Sequence, residues 1–310
     1  MESCRGLFQV NNIVLGGERV NIKNSKFFAE SWNVAIRKKG KGDILTDLRT
    51  PFKILKNSFF SWSADPFIFE FKGITYIFAE IYDYRLRRGT LGYSILKGDR
   101  IGRWKQIIIE NYHLSYPFIF EYAGDVYIIP ESNENNSLNV YRALNFPDEW
   151  EKVTVLIHNK KFVDTTFFEW ENCICAFTTD VSEYDNQREY FITFNERKIA
   201  SIDEIMVSDT KTSRMGGNVL QIEDRMIKVC QDCRKTYGGG LIFKEIEEDN
   251  LDGKEVRQIF PETLRFDKRV LIDGIHTYNA NERYEIIDIK TRRFNILDFI
   301  FRLLENVKRK

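Results

Sequence analysis

Three residues of this sequence could move protons, and a repeat relates them. Asp65 stands before an apolar run, Asp164 stands before a similar run 99 residues later, and His276 opens another. Carboxyls held close raise one another's pKa, so one can act as a base while a neighbour stays protonated. An imidazole can serve as acid, base or ligand binder near neutral pH. Other polar residues close the same runs: Glu80, Glu131, and Gln231 with Asp232. Beside the fourth run, Arg214 can reach an anionic group. Tyr237, followed by three glycines, can stack on a ligand or hydrogen-bond to it where backbone approaches closely. A single aspartate so placed more often caps a turn; the matched set favours a shared site.

The elements that must position these residues form a repeat. Residues 63–80 read SADPFIFEFKGITYIFAE, and residues 115–131 read SYPFIFEYAGDVYIIPE. Residues 164–177 (DTTFFEWENCICAF) and 217–231 (GNVLQIEDRMIKVCQ) follow, with a looser copy at 274–288, GIHTYNANERYEIID. Each copy has a polar residue, an apolar strand, a turn with Gly, Asn or Asp, a second strand and a final polar residue. Further short strands follow the hairpins, so each unit predicts a four-stranded sheet that cannot bury its two faces alone. Five such units at a period of roughly 50 residues predict an all-β, five-bladed β-propeller. In a propeller the starts of the innermost strands converge on one end of the axis, which would bring Asp65, Asp164 and His276 together. Residues 32–36 are expected to supply the strand that closes the ring. Residues 1–26 are expected to be an N-terminal segment, 27–289 the propeller, and 290–310 (KTRRFNILDFIFRLLENVKRK) a short C-terminal amphipathic helix. Its flanking basic residues could hold it on an anionic membrane surface.

Composition narrows the function classes. Lys+Arg and Asp+Glu both number 46, so no net field draws in polyanions; a local basic patch aside, this argues against a nucleic-acid partner. With 25 Phe and 14 Tyr the chain can build a solid core, and most of these rings are expected between blades, Trp104 and Trp150 among them. Cys230-x-x-Cys233 lacks a second ligand pair at short spacing, so no metal site is expected from the cysteines, and free thiols in a reducing cytosol are. The first ten residues, MESCRGLFQV, do not read as a signal peptide. No apolar run is long enough to span a bilayer. A cytoplasmic protein is expected, with a possible peripheral contact to the inner membrane face through 290–310.

The motifs ADPFIF…FAE, YPFIFEYAGDVYIIPES, FVDTTFFEW, QDC…YGGG and GIHTYN resemble the N-terminal domain of the glucosamine inositolphosphorylceramide transferase family. Stand-alone bacterial relatives of that domain are associated with surface-polysaccharide synthesis. The domain is in turn similar to the five-bladed propellers of glycoside hydrolase family 43 and its relatives. There an Asp before the first inner strand is the base, a second Asp positions and tunes, and a Glu is the acid. The resemblance implies a base role for Asp65 and a positioning role for Asp164. The acid does not carry over, because the fourth repeat opens Arg214-Met215-Gly216-Gly217.

The expected function is therefore that of a glycosyltransferase-like enzyme of bacterial surface-polysaccharide (capsule or O-antigen) biosynthesis. Its catalytic residues would be Asp65, Asp164 and His276; Glu80, Glu131, Arg214, Gln231, Asp232 and Tyr237 would bind substrate. Its donor would be a nucleotide sugar or sugar phosphate, and its acceptor a glycan or glycolipid. A glycoside hydrolase using Glu80 or Glu131 as acid, and a non-catalytic glycan-binding propeller, are the alternatives.

Overall fold

The computed structural model describes residues 12–15, 18–21, 28–40, 42–98, 100–183, 186–195 and 198–294. Five antiparallel sheets follow one another around an axis. Blade one comprises Ser61–Phe71, Ile74–Asp83, Arg88–Lys97 and Arg100–Ile101, with Lys105–Ile108 also paired to its third strand. Blades two, three and four are four-stranded meanders that open with Ser115–Tyr122, Phe162–Trp170 and Leu220–Ile222. Outside the ring, Asn12–Leu15 pairs with Glu18–Asn21.

Blade five is composite. The C-terminal strands Ile272–Gly274, Tyr278–Ala280 and Tyr284–Phe294 join the N-terminal strands Phe28–Lys38 and Lys53–Ile54. The long pair keeps an unbroken register from Tyr284↔Lys38 to Phe294↔Phe28, so the expected closing strand at 32–36 lies inside it. This corrects the expected start of a helix at 290: Lys290 pairs with Trp32, and Arg293 with Ala29. The partner strand offers backbone bonds all along this stretch, and Ile286, Ile287, Ile289 and Thr291 favour a pleated surface. Residues 295–310, where the rest of that helix was expected, lie outside the described residues.

Local sequence explains the inner hairpins. Their turns place two successive residues at positive φ: Lys72 and Gly73 (49° and 76°), Ala123 and Gly124 (52° and 85°), Glu171 and Asn172 (50° and 64°). That conformation matches the twist of the flanking strands. Rings fill the seams between blades. Phe146, from the turn after the third strand of blade two, sits 4.5 Å from the Phe71 ring and 4.9 Å from the Tyr76 ring of blade one. Trp150 packs on the same core and Trp104 on the core beneath blades one and five, as expected for inter-blade rings.

Near the axis the backbones approach closely. Gly217 has φ 139°, and a Cβ there would lie 1.9 Å from the carbonyl oxygen of Tyr278 in blade five. Gly124 also has positive φ (85°) but faces open space. Gly217→Ala should therefore lower the unfolding free energy by at least about 2 kcal/mol, and Gly124→Ala by about 1 kcal/mol, the cost of the backbone conformation alone. Urea midpoints of the two variants check this; equal losses would overturn the steric account.

Candidate active site at the propeller axis

A shared backbone irregularity presents the first candidate residues. In blades one, two and three the register of the inner pair shifts between Ala64 and Phe67, Ser115 and Phe118, and Val163 and Thr166. Inside each bulge one residue has positive φ: Asp65 (49°), Tyr116 (46°) and Asp164 (51°). Non-glycine residues seldom adopt this conformation, and bulges of this kind re-aim a side chain beside functional sites. The repeat therefore turns the same position of three blades inward, with a carboxyl in two of them and a phenol in the third.

Asp65 sits at the hub and is buried. Its Oδ1 accepts from the Thr277 hydroxyl (2.9 Å) and its Oδ2 from the Tyr116 backbone N–H (3.1 Å). His276 Nε2 lies 3.5 Å from Asp65 Oδ1, and His276 Nδ1 lies 2.6 Å from Asp288 Oδ2. Asp288 Oδ1 also accepts from the backbone N–H groups of His276 and Thr277, both at 3.0 Å, and its Oδ2 from that of Asp65 (3.0 Å). Burial pushes the Asp65 carboxyl up to about 7; the His276 charge opposes that rise, while Glu80, Asp288 and Asp164 add to it. Burial would lower the His276 imidazole, but Asp288 and Asp65 outweigh it and raise the group to about 9. At neutral pH His276 is thus a cation between two carboxyls. The Trp32 indole stacks on its ring at 4.0 Å, and Tyr237 meets the ring edge-on at 5.4 Å.

Asp164 forms the second centre. Its Oδ2 takes the Arg214 Nε and a terminal guanidinium nitrogen, each at 2.7 Å, and the Gln231 amide at 3.1 Å. Gln231 donates as well to the Met215 carbonyl (2.8 Å), so its amide is spent on holding Asp164 within the protein. The guanidinium stands 5.4 Å from the centre of the Tyr237 ring. Tyr237 is 45% exposed and forms the outer wall of the cluster. Glu131 is half-buried, and burial with the charge of Asp164 pushes it up to about 8, against the pull of Arg214 and His113.

One further candidate is paired at the edge of the cluster, and one is committed elsewhere. Glu80 is buried, His113 Nε2 lies 3.3 Å from its Oε1, and its charge adds to the rise of Asp65. Asp232 binds the backbone and guanidinium of Arg234 (3.0 and 2.7 Å), the turn-capping arrangement that Asp83 makes with Arg85. Four residues not singled out in the sequence complete the site. Asp288 orients His276, Trp32 covers it, and Thr277 bonds Asp65. Lys290 donates to the Tyr237 carbonyl and stands 5.5 Å from the Trp32 ring. Asp288 holds the closing polar place of the fifth repeat, and that was its signal. Trp32 comes from the opposite end of the chain, with no local signal. His113 likewise reaches Glu80 from outside the repeats.

Asp65, His276 and Asp288 each offer a ligand atom within 4.8 Å of the others, the one such group of three among the described residues. Here those atoms are engaged with one another: a cation would have to displace the proton shared by His276 and Asp288 and break the backbone bonds to Asp288. Chemically, the axis offers a carboxyl that titrates near neutrality beside the cation His276, a second carboxyl held by the cation Arg214, and one protonated acid at its edge.

Solved structures share the architecture. The catalytic domain of a Coprinopsis cinerea GH62 α-L-arabinofuranosidase matches 74% of this chain and 90% of its own, with a TM-score of 0.54 at 12% identity. The GH43_1 enzyme from Xanthomonas citri complexed with xylose matches 75% and 88%, with a TM-score of 0.55 at 9% identity. At such identities the likeness is one of fold. Sequence relatives are nearer. Glucosamine inositolphosphorylceramide transferase 1 of Arabidopsis thaliana is 31% identical over 207 residues, 63% of this chain and 26% of that protein. The protein of the same name from Oryza sativa subsp. indica is 29% identical over 196 residues, 60% and 26%. The chain thus spans about a quarter of the length of the curated relatives it matches. The family model described as glucosamine inositolphosphorylceramide transferase 1, N-terminal, matches residues 48–291, most of the blades and the whole axial cluster apart from Trp32, and the chain belongs to that family.

Proposed function

We propose that the chain is a glycosyltransferase-like enzyme of bacterial surface-polysaccharide assembly, acting at the propeller axis, in the cytoplasm at the inner membrane face. The observation that carries the reading is Asp65, a buried carboxyl pushed up to about 7 and set beside the cation His276, with Asp164 and its partner Arg214 as the second charged pair of the axis. A general base works best with a pKa near the operating pH. In the proposed step Asp65 takes the proton of an acceptor hydroxyl. That oxygen attacks the anomeric carbon of a nucleotide sugar or sugar phosphate, and the bonding pair to the donor phosphate departs with the phosphate. Arg214, oriented by Asp164, and protonated His276 offset the charge that develops there. Tyr237 and Glu131 would contact sugar hydroxyls at the mouth. The names of the plant relatives support transfer with a glycan or glycolipid acceptor.

One observation favours a second reading. Glu131, pushed up to about 8, is protonated at neutral pH and could serve as the acid of a glycoside hydrolase, with Asp65 as base. Turnover assays with nucleotide sugars, sugar phosphates and neutral oligosaccharides separate the two. A transferase consumes the activated donor and leaves free oligosaccharide intact. In that case Glu131→Gln should cost less than about tenfold, because no acid is needed at the leaving group. A hydrolase should cleave glycoside in water alone and lose about 10²-fold or more in the same variant.

A further inference from the structure

The seam between blades one and five carries an open groove of about 880 Å³. It runs from the outermost strands of the two blades, at Arg100–Ile101 and Lys53–Ile54, to the inner strand ends at Ser61 and Asp83. Six cations line it, Lys53, Lys56, Arg85, Arg100, Arg103 and Lys268, and all six are exposed. Asp83 is the one carboxylate among the described lining residues, and Arg85 already binds it at 2.5 Å. A second hollow of about 740 Å³ continues past Arg100 and Arg103 and adds Lys97 and Lys105. Over the whole chain the charges balance at 46 each, so this is a local concentration of one sign. Like charges gathered on one wall repel in the free protein, and a ligand of opposite charge relieves that repulsion.

The wall is not only basic. Phe60 is 46% exposed, the Arg85 guanidinium lies 5.5 Å from its ring centre, and half-buried Trp104 lines the same hollow. Hydrogen bonds also tie the groove's wall to the axial site. Its Asn57 donates to the Trp32 carbonyl (2.5 Å) and accepts from the Ser63 hydroxyl (3.1 Å), and the Trp32 indole covers His276. A concave channel with cations along its length and aromatic faces between them suits a polymer with repeated negative charges and sugar rings. A flat bilayer would meet only its rim.

We propose that this groove holds an anionic stretch of the acceptor glycan, one bearing repeated carboxylate or phosphate groups. The acceptor role rests on the carbohydrate reading above; binding in the groove can be measured without any turnover. Titration calorimetry of the full chain would use oligogalacturonate, its uncharged methyl ester, and poly(glycerol phosphate). At least one charged polymer should bind, the ester should not, and binding should weaken as salt rises. Arg100→Gln with Arg103→Gln should weaken binding by about tenfold at an unchanged melting temperature, since both side chains are exposed. Replacing both by Lys should restore most of the affinity. Asp65→Asn should leave binding intact, so loss of the enzymatic reading and loss of this one are told apart. Three results would overturn the proposal: no binding of either charged polymer, equal binding of the ester, or an unaffected double variant. Tighter binding to vesicles of equal parts phosphatidylglycerol and phosphatidylcholine, lost in the double variant, would reassign the groove to a membrane.

Discussion

Asp65→Asn is expected to lower turnover by about 10²–10⁴-fold while the melting temperature holds or rises. The size follows from the role: a positioned base supplies roughly that factor, and an amide cannot accept the acceptor's proton. The unaltered stability follows from the surroundings. Burial raises the Asp65 carboxyl to about 7, so its ionised form is the costly one in the folded chain. Asn keeps the shape, can accept from the Tyr116 N–H through its oxygen, and can donate its amide to the Thr277 hydroxyl in place of the bond that the carboxylate received. Asp288 remains to balance His276. A glycan-binding propeller without chemistry would behave otherwise, with nothing to turn over and its affinity unchanged in the variant. Retained turnover in Asp65→Asn would remove Asp65 from the mechanism.

The pH profile tests the same assignment. A base must be ionised, so the rate should climb as pH rises through about 7, where Asp65 loses its proton. A stabilising imidazolium must stay protonated, so the rate should fall as pH passes about 9, where His276 loses its own. If Glu131 were an obligatory acid, the descending limb would instead lie at about 8. Glu131→Gln separates the last two cases, because only the Glu131 limb can vanish with it.

The legible parts of this site were those repeated in the sequence. Asp65 and Asp164 could be matched because blades one and three use the same bulge at the same distance from the same turn. Gln231 was found for the same reason, although its amide faces inward to Asp164. Asp232 shows the limit of that logic. A polar residue at a strand end satisfies the repeat equally well as a ligand or as a turn cap, and the guanidinium of Arg234 decides for the cap. Trp32 and His113 approach from segments outside the repeats, across tertiary contacts that no local pattern encodes. Lys290 lies in a strand where a helix is expected, because an apolar run with basic flanks is ambiguous between the two. Eleven residues of backbone pairing with the N-terminal strand settle its neighbourhood as strand.

The ring closure that placed Trp32 and Lys290 should also be where the fold is most easily broken. Arg37 and Glu285 join the two chain ends of blade five, 248 residues apart, with Arg37 Nε 2.7 Å from Glu285 Oε2 and both side chains buried. Glu285 Oε1 also accepts from the Ile44 N–H (2.6 Å) and the Tyr278 hydroxyl (2.7 Å). Glu285→Ala would strand a guanidinium above the Phe52 ring and two polar groups without their acceptor. Removing one member of a buried pair costs about 3–5 kcal/mol, a large share of the 5–15 kcal/mol typical of a native domain. At the exposed pair Arg188–Glu204, the corresponding change should cost less than about 1 kcal/mol. Urea unfolding of Glu285→Ala, Glu204→Ala and the double variant Arg37→Met/Glu285→Leu would measure these differences. The double variant should regain much of the loss, because apolar side chains of similar volume leave no orphaned charge. If it were no more stable than Glu285→Ala, the cost would lie in the unbonded Ile44 N–H and Tyr278 hydroxyl and not in the uncompensated Arg37.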